Sequence, residues 1–185
     1  MEFKKIQLNG FKSFAEKTNF LIENGLTGIV GPNGCGKSNI VESLRWVMGE
    51  TSAKSMRGSG MEDVIFSGTS NKASKNIAEV LVEVENNNKE GPIQYRELEQ
   101  IKVRRKIEKD KGSKFYINDK EVRARDAQMF FADLSTGAHS PSMISQGRIG
   151  ALVTAKPTDR RAILEEAAGI SGLHVRRHEA ELRLS

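Results

Sequence analysis

The run GPNGCGKS at positions 31–38 has the clearest chemistry in the sequence, because it matches the phosphate-binding pattern GxxxxGK(S/T) in full. Glycines let such a loop wrap closely around a phosphate, and successive backbone N–H groups point inward to bind an anion. Lys37 is predicted to reach the β- and γ-phosphates of a nucleotide and to act in catalysis, and the Ser38 hydroxyl is predicted to bind Mg²⁺. The predicted nucleotide-binding residues here are Pro32, Asn33, Gly34, Cys35, Gly36, Lys37, Ser38 and Asn39.

The elements around this loop are those that a phosphate site needs. Residues Leu26–Val30 (LTGIV) predict a short buried strand that runs into the loop. From Lys37 onward the apolar residues recur on one helical face, and Gly49 is placed to end that helix. The N-terminus of the helix would add its dipole to the phosphate site.

The rest of the chain predicts an α/β protein with an inserted antiparallel meander. Predicted strands are Phe3–Leu8, Asn19–Ile22, Ile77–Glu85, Gln94–Ile107 and Lys114–Ile117, the last followed by an Asn118-Asp119 turn. Predicted helices are Arg125–Leu134 and Thr158–Ala168, the second with Thr158 as its N-cap. Residues 169–185 are charged with a thin apolar seam, which is typical of the first turns of a coiled coil.

Composition excludes several classes of protein. The 185 residues carry 29 Lys and Arg against 24 Asp and Glu, a net charge of +5. The single cysteine, Cys35, allows no internal disulfide and fits a reducing, cytosolic compartment. No apolar run approaches the roughly 20 residues that span a bilayer, so no membrane partner is expected.

Two further groups of residues have competing interpretations. Basic residues concentrate in 101–125, and charge alone fits a surface for a nucleic-acid backbone and a solvated strand face equally well. Zinc binding by His139, His174 and His178 is disfavoured, because two of them lie on a charged segment with no third ligand near in sequence. Cys35 is expected to present its backbone rather than act as a nucleophile, and Trp46 to pack in the core.

Five segments resemble the structural maintenance of chromosomes (SMC) proteins, in the same order and at similar spacing. They are IQLNGFKSF (6–14), GPNGCGKSN (31–39), KSMRGSGMEDVIFSG (54–68), SMISQGRI (142–149) and RRAILEEAAGI (160–170). The resemblance is to the bacterial, condensin-type members. It implies a P-loop NTPase of the ABC-ATPase type: residues 1–168 form the N-terminal lobe of an ATPase head, and residues 169–185 begin a coiled-coil arm.

The resemblance also implies roles for residues outside the loop. Gln146 matches the Q-loop glutamine, which touches Mg²⁺ and the attacking water, and is therefore a predicted catalytic and metal-binding residue. Arg57 matches an arginine that contacts nucleotide phosphate in the engaged head dimer, and Lys12 and Ser13 are expected near the nucleotide. The implied cofactors are ATP and Mg²⁺.

The sequence lacks two motifs that a complete ABC-type site requires. Neither an LSGGQ-like signature nor the Walker B run ending in Asp-Glu occurs between Met1 and Ser185. The resemblance places both in the C-terminal half of the head, so this chain is expected to be inactive as an ATPase until that half and a second head are supplied.

The implied function is ATP-driven organisation, condensation and segregation of chromosomes. The expected partners are the C-terminal half-head, a second SMC copy, a kleisin-type subunit and double-stranded DNA bound without sequence preference, in the cytoplasm at the nucleoid. A DNA-repair ABC ATPase with coiled-coil arms, of the RecN kind, is the alternative, and the FKSF and KSMRGSGMEDVIF segments favour SMC. A small-molecule kinase or GTPase is disfavoured, since it would need a Walker B strand soon after the first helix.

Overall fold

A six-stranded antiparallel sheet forms the main part of the structure, which is a computed structural model describing residues 1–89, 92–134, 143, 153–158, 160–161 and 164. The strands, in the sheet order β2-β1-β3-β4-β5-β6, are β1 (Glu2–Asn9), β2 (Thr18–Leu21), β3 (Ile77–Glu85), β4 (Gln100–Glu108), β5 (Gly112–Ile117) and β6 (Lys120–Val122). Two α-helices, α1 (Lys37–Val47) and α2 (Ala124–Asp133), accompany it, with short 3₁₀ helices at Lys54–Met56, Met61–Val64 and Ile93–Tyr95. None of the helices in these ranges is long and apolar enough to cross a bilayer.

The sheet has one buried face because β3 and β4 alternate apolar and polar residues. Val82 of β3 pairs with Val103 of β4, and both are fully buried beneath the helices. Trp46 of α1 is also fully buried and packs on Phe11 with ring centroids 5.4 Å apart. The predicted core position of Trp46 is confirmed, and the P-loop helix is fixed against the sheet.

The opposite face of the sheet carries ion pairs between neighbouring strands. Glu83 of β3 lies 3.3 Å from the Lys5 ammonium and 3.6 Å from that of Lys102. Glu79 lies 3.3 Å from the guanidinium of Arg104, which also stacks on the Tyr116 ring at 4.3 Å. The first part of the basic stretch is therefore a solvated strand face whose charges are paired. This agrees with the second of the two interpretations of residues 101–125.

The predicted buried strand at Leu26–Val30 is wrong. These residues form no strand, and the side chains of Leu26 and Val30 are 99% and 94% exposed. An apolar strand is buried only where other strands or helices cover it, and none of the described elements does so here.

The bounds of β1, β2, β4, β5 and α2 also differ from the sequence prediction, and one strand was not predicted. The strand predicted from Gln94 begins only at Gln100, since Pro92 leads into the Ile93–Tyr95 3₁₀ helix. Strand β6 was not predicted; it follows Asn118 and Asp119, whose positive φ angles of 47° and 63° form a tight hairpin turn. Helix α2 begins and ends one residue earlier than predicted.

The helix predicted at Thr158–Ala168 is described at 157, 158, 160, 161 and 164, all of them helical. The assignment of Thr158 as N-cap is wrong because Pro157 is already helical, as suits a residue with fixed φ and no N–H to donate. The predicted coiled-coil start at 169–185 lies outside the described residues, as do Gln146 and the three histidines.

Candidate nucleotide-binding site

The N-terminus of α1 is built to receive an anion. Its N-cap is Gly36, in the left-handed conformation with φ 96°, and the first turn has neither a side-chain cap nor an acidic residue. Gly34 is also left-handed, with φ 85°, as a loop folded close around a ligand requires. The first N–H groups of the helix are therefore left for an external acceptor.

The Lys37 ammonium lies over the loop that precedes its helix. It donates hydrogen bonds to the backbone oxygens of Gly31 at 2.5 Å and Pro32 at 2.6 Å. Cys35 Sγ lies 3.9 Å from the same nitrogen, on the exposed side of the loop. These neutral acceptors leave the positive charge of Lys37 uncompensated, so a phosphate oxygen would be a stronger partner.

The turn that contains Lys12 and Ser13 packs against the start of α1. Phe11 and Phe14 close this turn with reciprocal backbone hydrogen bonds of 3.1 and 2.8 Å. Asn39 in the first turn of α1 donates from Nδ2 to Ser13 Oγ at 2.9 Å. A Cβ atom at Gly36 would lie only 2.5 Å from the same oxygen, so a residue larger than glycine would displace the Ser13 hydroxyl and would also be strained at this positive φ.

Arg57 reaches the same helix from a different segment of the chain. It ends the Lys54–Met56 3₁₀ helix in the left-handed conformation, with φ 55°. Its guanidinium donates to Asn39 Oδ1 at 3.4 Å and forms an ion pair with Glu42.

The loop after Arg57 is held by Asp63. This carboxylate accepts hydrogen bonds from the backbone N–H of Ser59 at 2.6 Å and of Gly60 at 2.9 Å, and from the Ser59 hydroxyl at 2.9 Å. The Gly60 N–H, followed by the Ser59 hydroxyl and N–H, lowers the pKa of Asp63, since these bonds favour the ionised form.

Sequence analysis missed Glu42, which joins the two basic residues of the site. It lies on α1, is 8% exposed, and pairs with both Lys12 and Arg57. Arg45, the basic residue one helical turn away, pairs with Glu50 at 3.5 Å. The only signal was an acidic residue on a helix face that is otherwise directed to the core.

The structure therefore brings Ser13 and Arg57 to Asn39 in the first turn of α1 and joins Lys12 to the same helix through Glu42, while Gln146 lies outside the described residues. An uncapped helix N-terminus, left-handed glycines and the cations Lys37 and Arg57 fit a nucleoside polyphosphate. Ser38, in the first turn of α1, has a hydroxyl that could bind Mg²⁺ beside such a ligand.

A GxxxxGK(S/T) loop that enters an uncapped helix is the phosphate-binding feature of the P-loop class of nucleotide-binding proteins. The sequence model described as "RecF/RecN/SMC N terminal domain" matches residues 2–148, and the chain belongs to this family. It is 56% identical over 185 residues to the chromosome partition protein Smc of Cereibacter sphaeroides, a match that covers all of this chain. The chain spans 16% of the length of that relative.

Two solved structures share the fold. One, described as "Structural biochemistry of ATP-driven dimerization and DNA stimulated activation of SMC ATPases", superposes with a TM-score of 0.76 at 30% identity, covering 90% of this chain and 99% of the other. The second, an Smc head bound to the C-terminal winged-helix domain of ScpA, gives 0.85 at 30% identity, covering 92% and 52%. The fold is thus that of an SMC ATPase head, as the resemblance implied.

Proposed function

We propose that this chain is the ATP-binding N-terminal half of an SMC head, which dimerises on ATP and hydrolyses it. The observation that carries the proposal is the uncapped N-terminus of α1, where Lys37, Ser13, Asn39 and Arg57 converge. No acidic residue of the described chain is placed to take the Lys37 charge, so an anionic ligand would complete the site.

In this proposal the loop residues from Pro32 to Asn39 bind the phosphates of ATP. Lys37 neutralises charge that develops on the β- and γ-phosphates, and Ser38 and Gln146 hold Mg²⁺. Gln146 orients the attacking water. Bound Mg²⁺ would supply further neutralisation of the phosphate charge.

The proposal extends to the protein's partners. The missing Walker B and signature motifs would come from a C-terminal half-head and from a second SMC copy, with a kleisin-type subunit completing a cytoplasmic, nucleoid-associated complex. The relatives named chromosome partition protein Smc, and solved structures described for the ATP-driven dimerization of SMC ATPases and for an Smc head bound to ScpA, support this assignment over a RecN-like repair ATPase. Its biological outcome would be the organisation, condensation and segregation of chromosomes.

Lys37→Ala tests the nucleotide site. We expect loss of ATP binding with little change in melting temperature, because the ammonium contacts only loop backbone oxygens and the Cys35 sulfur on an exposed surface. Calorimetric titration of the head completed by its C-terminal half, with ATP and Mg²⁺, measures the effect. Lys17→Ala, an exposed lysine in another loop, serves as the control. Affinity retained within a few-fold in Lys37→Ala would refute the assignment.

Sequence-independent DNA binding is proposed for the later part of the basic stretch, where Lys120, Arg123 and Arg125 are exposed to solvent. Changing Lys120, Arg123 and Arg125 together to Glu should weaken DNA binding by an ATP-engaged head dimer and flatten its salt dependence. A triple change of the exposed Lys72, Lys75 and Lys89 to Glu alters the net charge equally. Equal losses in both variants, measured by fluorescence anisotropy at two salt concentrations, would argue against a DNA surface at 120–125.

A further inference from the structure

A single carboxylate of α1 forms ion pairs with two basic side chains. Glu42 of α1 pairs with Lys12 of the Phe11–Phe14 turn and with Arg57 of the loop after the Lys54–Met56 3₁₀ helix. The Glu42 side chain is only 11% exposed, so it depends on these partners for compensation of its charge. Three segments distant in sequence are therefore joined at a single acidic group.

The two cations are held very differently. Lys12 has a side chain 13% exposed, donates to Met56 O at 2.5 Å as well as to Glu42, and has its backbone N–H bound to Val64 O at 2.7 Å. Arg57 has a side chain 60% exposed, and its further contact is a long 3.4 Å hydrogen bond to Asn39 Oδ1. Arg57 can therefore turn away from Glu42 toward a ligand, whereas Lys12 is fixed in place.

We infer that Glu42 is a positioning residue of the nucleotide site, a role that rests on the function proposed above. Its carboxylate holds Arg57 beside Asn39 in the first turn of α1, where the phosphates are proposed to bind. When the guanidinium turns to a phosphate oxygen, Lys12 stays with Glu42 and keeps its charge compensated. Without Lys12, a bare carboxylate near the phosphates would repel them.

This inference gives Lys12 a narrower role than the sequence resemblance implied. Its ammonium is already engaged by Glu42 and Met56, so it acts as the counter-ion of Glu42 and not as a phosphate ligand. Ser13, the next residue, remains hydrogen-bonded to Asn39 and keeps the turn against α1.

A double-mutant cycle on ATP turnover by the completed head tests this role. Arg57→Ala removes the guanidinium, and Glu42→Gln removes the charge that positions it while preserving side-chain size. We expect each to lower turnover about tenfold, the scale of one lost charge-assisted contact. Because both act through Arg57, the double variant should be no slower than Arg57→Ala, and Glu42→Asp should recover part of the activity. Additive losses would overturn the inference.

Controls separate this role from general stability and from the proposed function. Glu50→Gln alters another buried, paired carboxylate just beyond the opposite end of α1, and should leave turnover close to wild type. If Glu42→Gln fails to fold, Lys12→Met decides, since Arg57 then becomes the sole counter-ion of Glu42 and turnover should fall; unchanged turnover would overturn the inference. A wild-type head no more active than Lys37→Ala would instead refute the proposed function.

Discussion

At the scale of single residues, Arg105 fixes the far end of the P-loop helix. It points from β4 into the core, is 3% exposed, and donates to Trp46 O and Glu50 O, each at 2.7 Å. Its guanidinium lies 4.5 Å from the Trp46 ring and 4.6 Å from the Phe115 ring. Arg105 therefore makes cation–π contacts with both rings in addition to its hydrogen bonds. Burial lowers the pKa of Arg105 to about 10, so it stays charged at neutral pH and anchors α1 to the sheet.

Arg105→Gln should reduce the free energy of unfolding by about 2–4 kcal/mol, because shortening the side chain removes the charge-assisted hydrogen bonds to the Trp46 and Glu50 carbonyls inside the core. Lys106→Gln, at the next position on the opposite and more exposed face of β4, should cost less than about 0.5 kcal/mol. Urea denaturation of both variants measures the difference. Similar midpoints for the two would show that Arg105 does not hold the helix.

At the scale of elements, the sequence predicted correctly those strands and helices that depend on the pattern of residues near one another in the chain. Period-two alternation located β3 at Ile77–Glu85 with both boundaries correct, because one sheet face is buried and the other wet. The apolar stripe after the glycine loop located α1, and Gly49 ends it with a left-handed φ of 103°. The burial of Arg105 was not predicted, although the pattern contained a signal for it. Arg105 occupies an alternate position of β4 that is otherwise taken by buried aliphatic residues.

Features that depend on distant segments could not be predicted in this way. Whether Leu26–Val30 forms a buried strand depends on whether another strand lies beside it, and the apolar pattern does not show where that neighbour would be. Glu42 gains its importance from Lys12 and Arg57, which approach it from two other segments. Spacing along α1 cannot reveal such a cluster, because it arises only when the turn and the loop pack on the helix.

At the scale of the whole molecule, one apolar region is buried in the core and another is exposed to solvent. The antiparallel sheet buries the apolar face of its central strands under the helices, with Trp46, Phe130 and Phe131 fully or almost fully buried. The segment leading into the P-loop is the opposite: Leu26 and Val30 are almost completely exposed, with Ile29 at 46%. An apolar segment next to a phosphate loop, left in water, is suited to being covered by further protein.

The isolated chain should therefore bind ATP weakly and show no ATPase activity above background. Hydrolysis needs a carboxylate for Mg²⁺ and the attacking water, and no Walker B run occurs between Met1 and Ser185. Adding the C-terminal half-head should restore turnover, which should rise more steeply than linearly with head concentration because two heads must meet. A phosphate-release assay on residues 1–185 measures the basal rate, with Lys37→Ala as a check for contaminating enzyme. Turnover by the isolated chain that Lys37→Ala abolishes would contradict the half-site proposal, and the catalytic carboxylate would then have to lie within these residues.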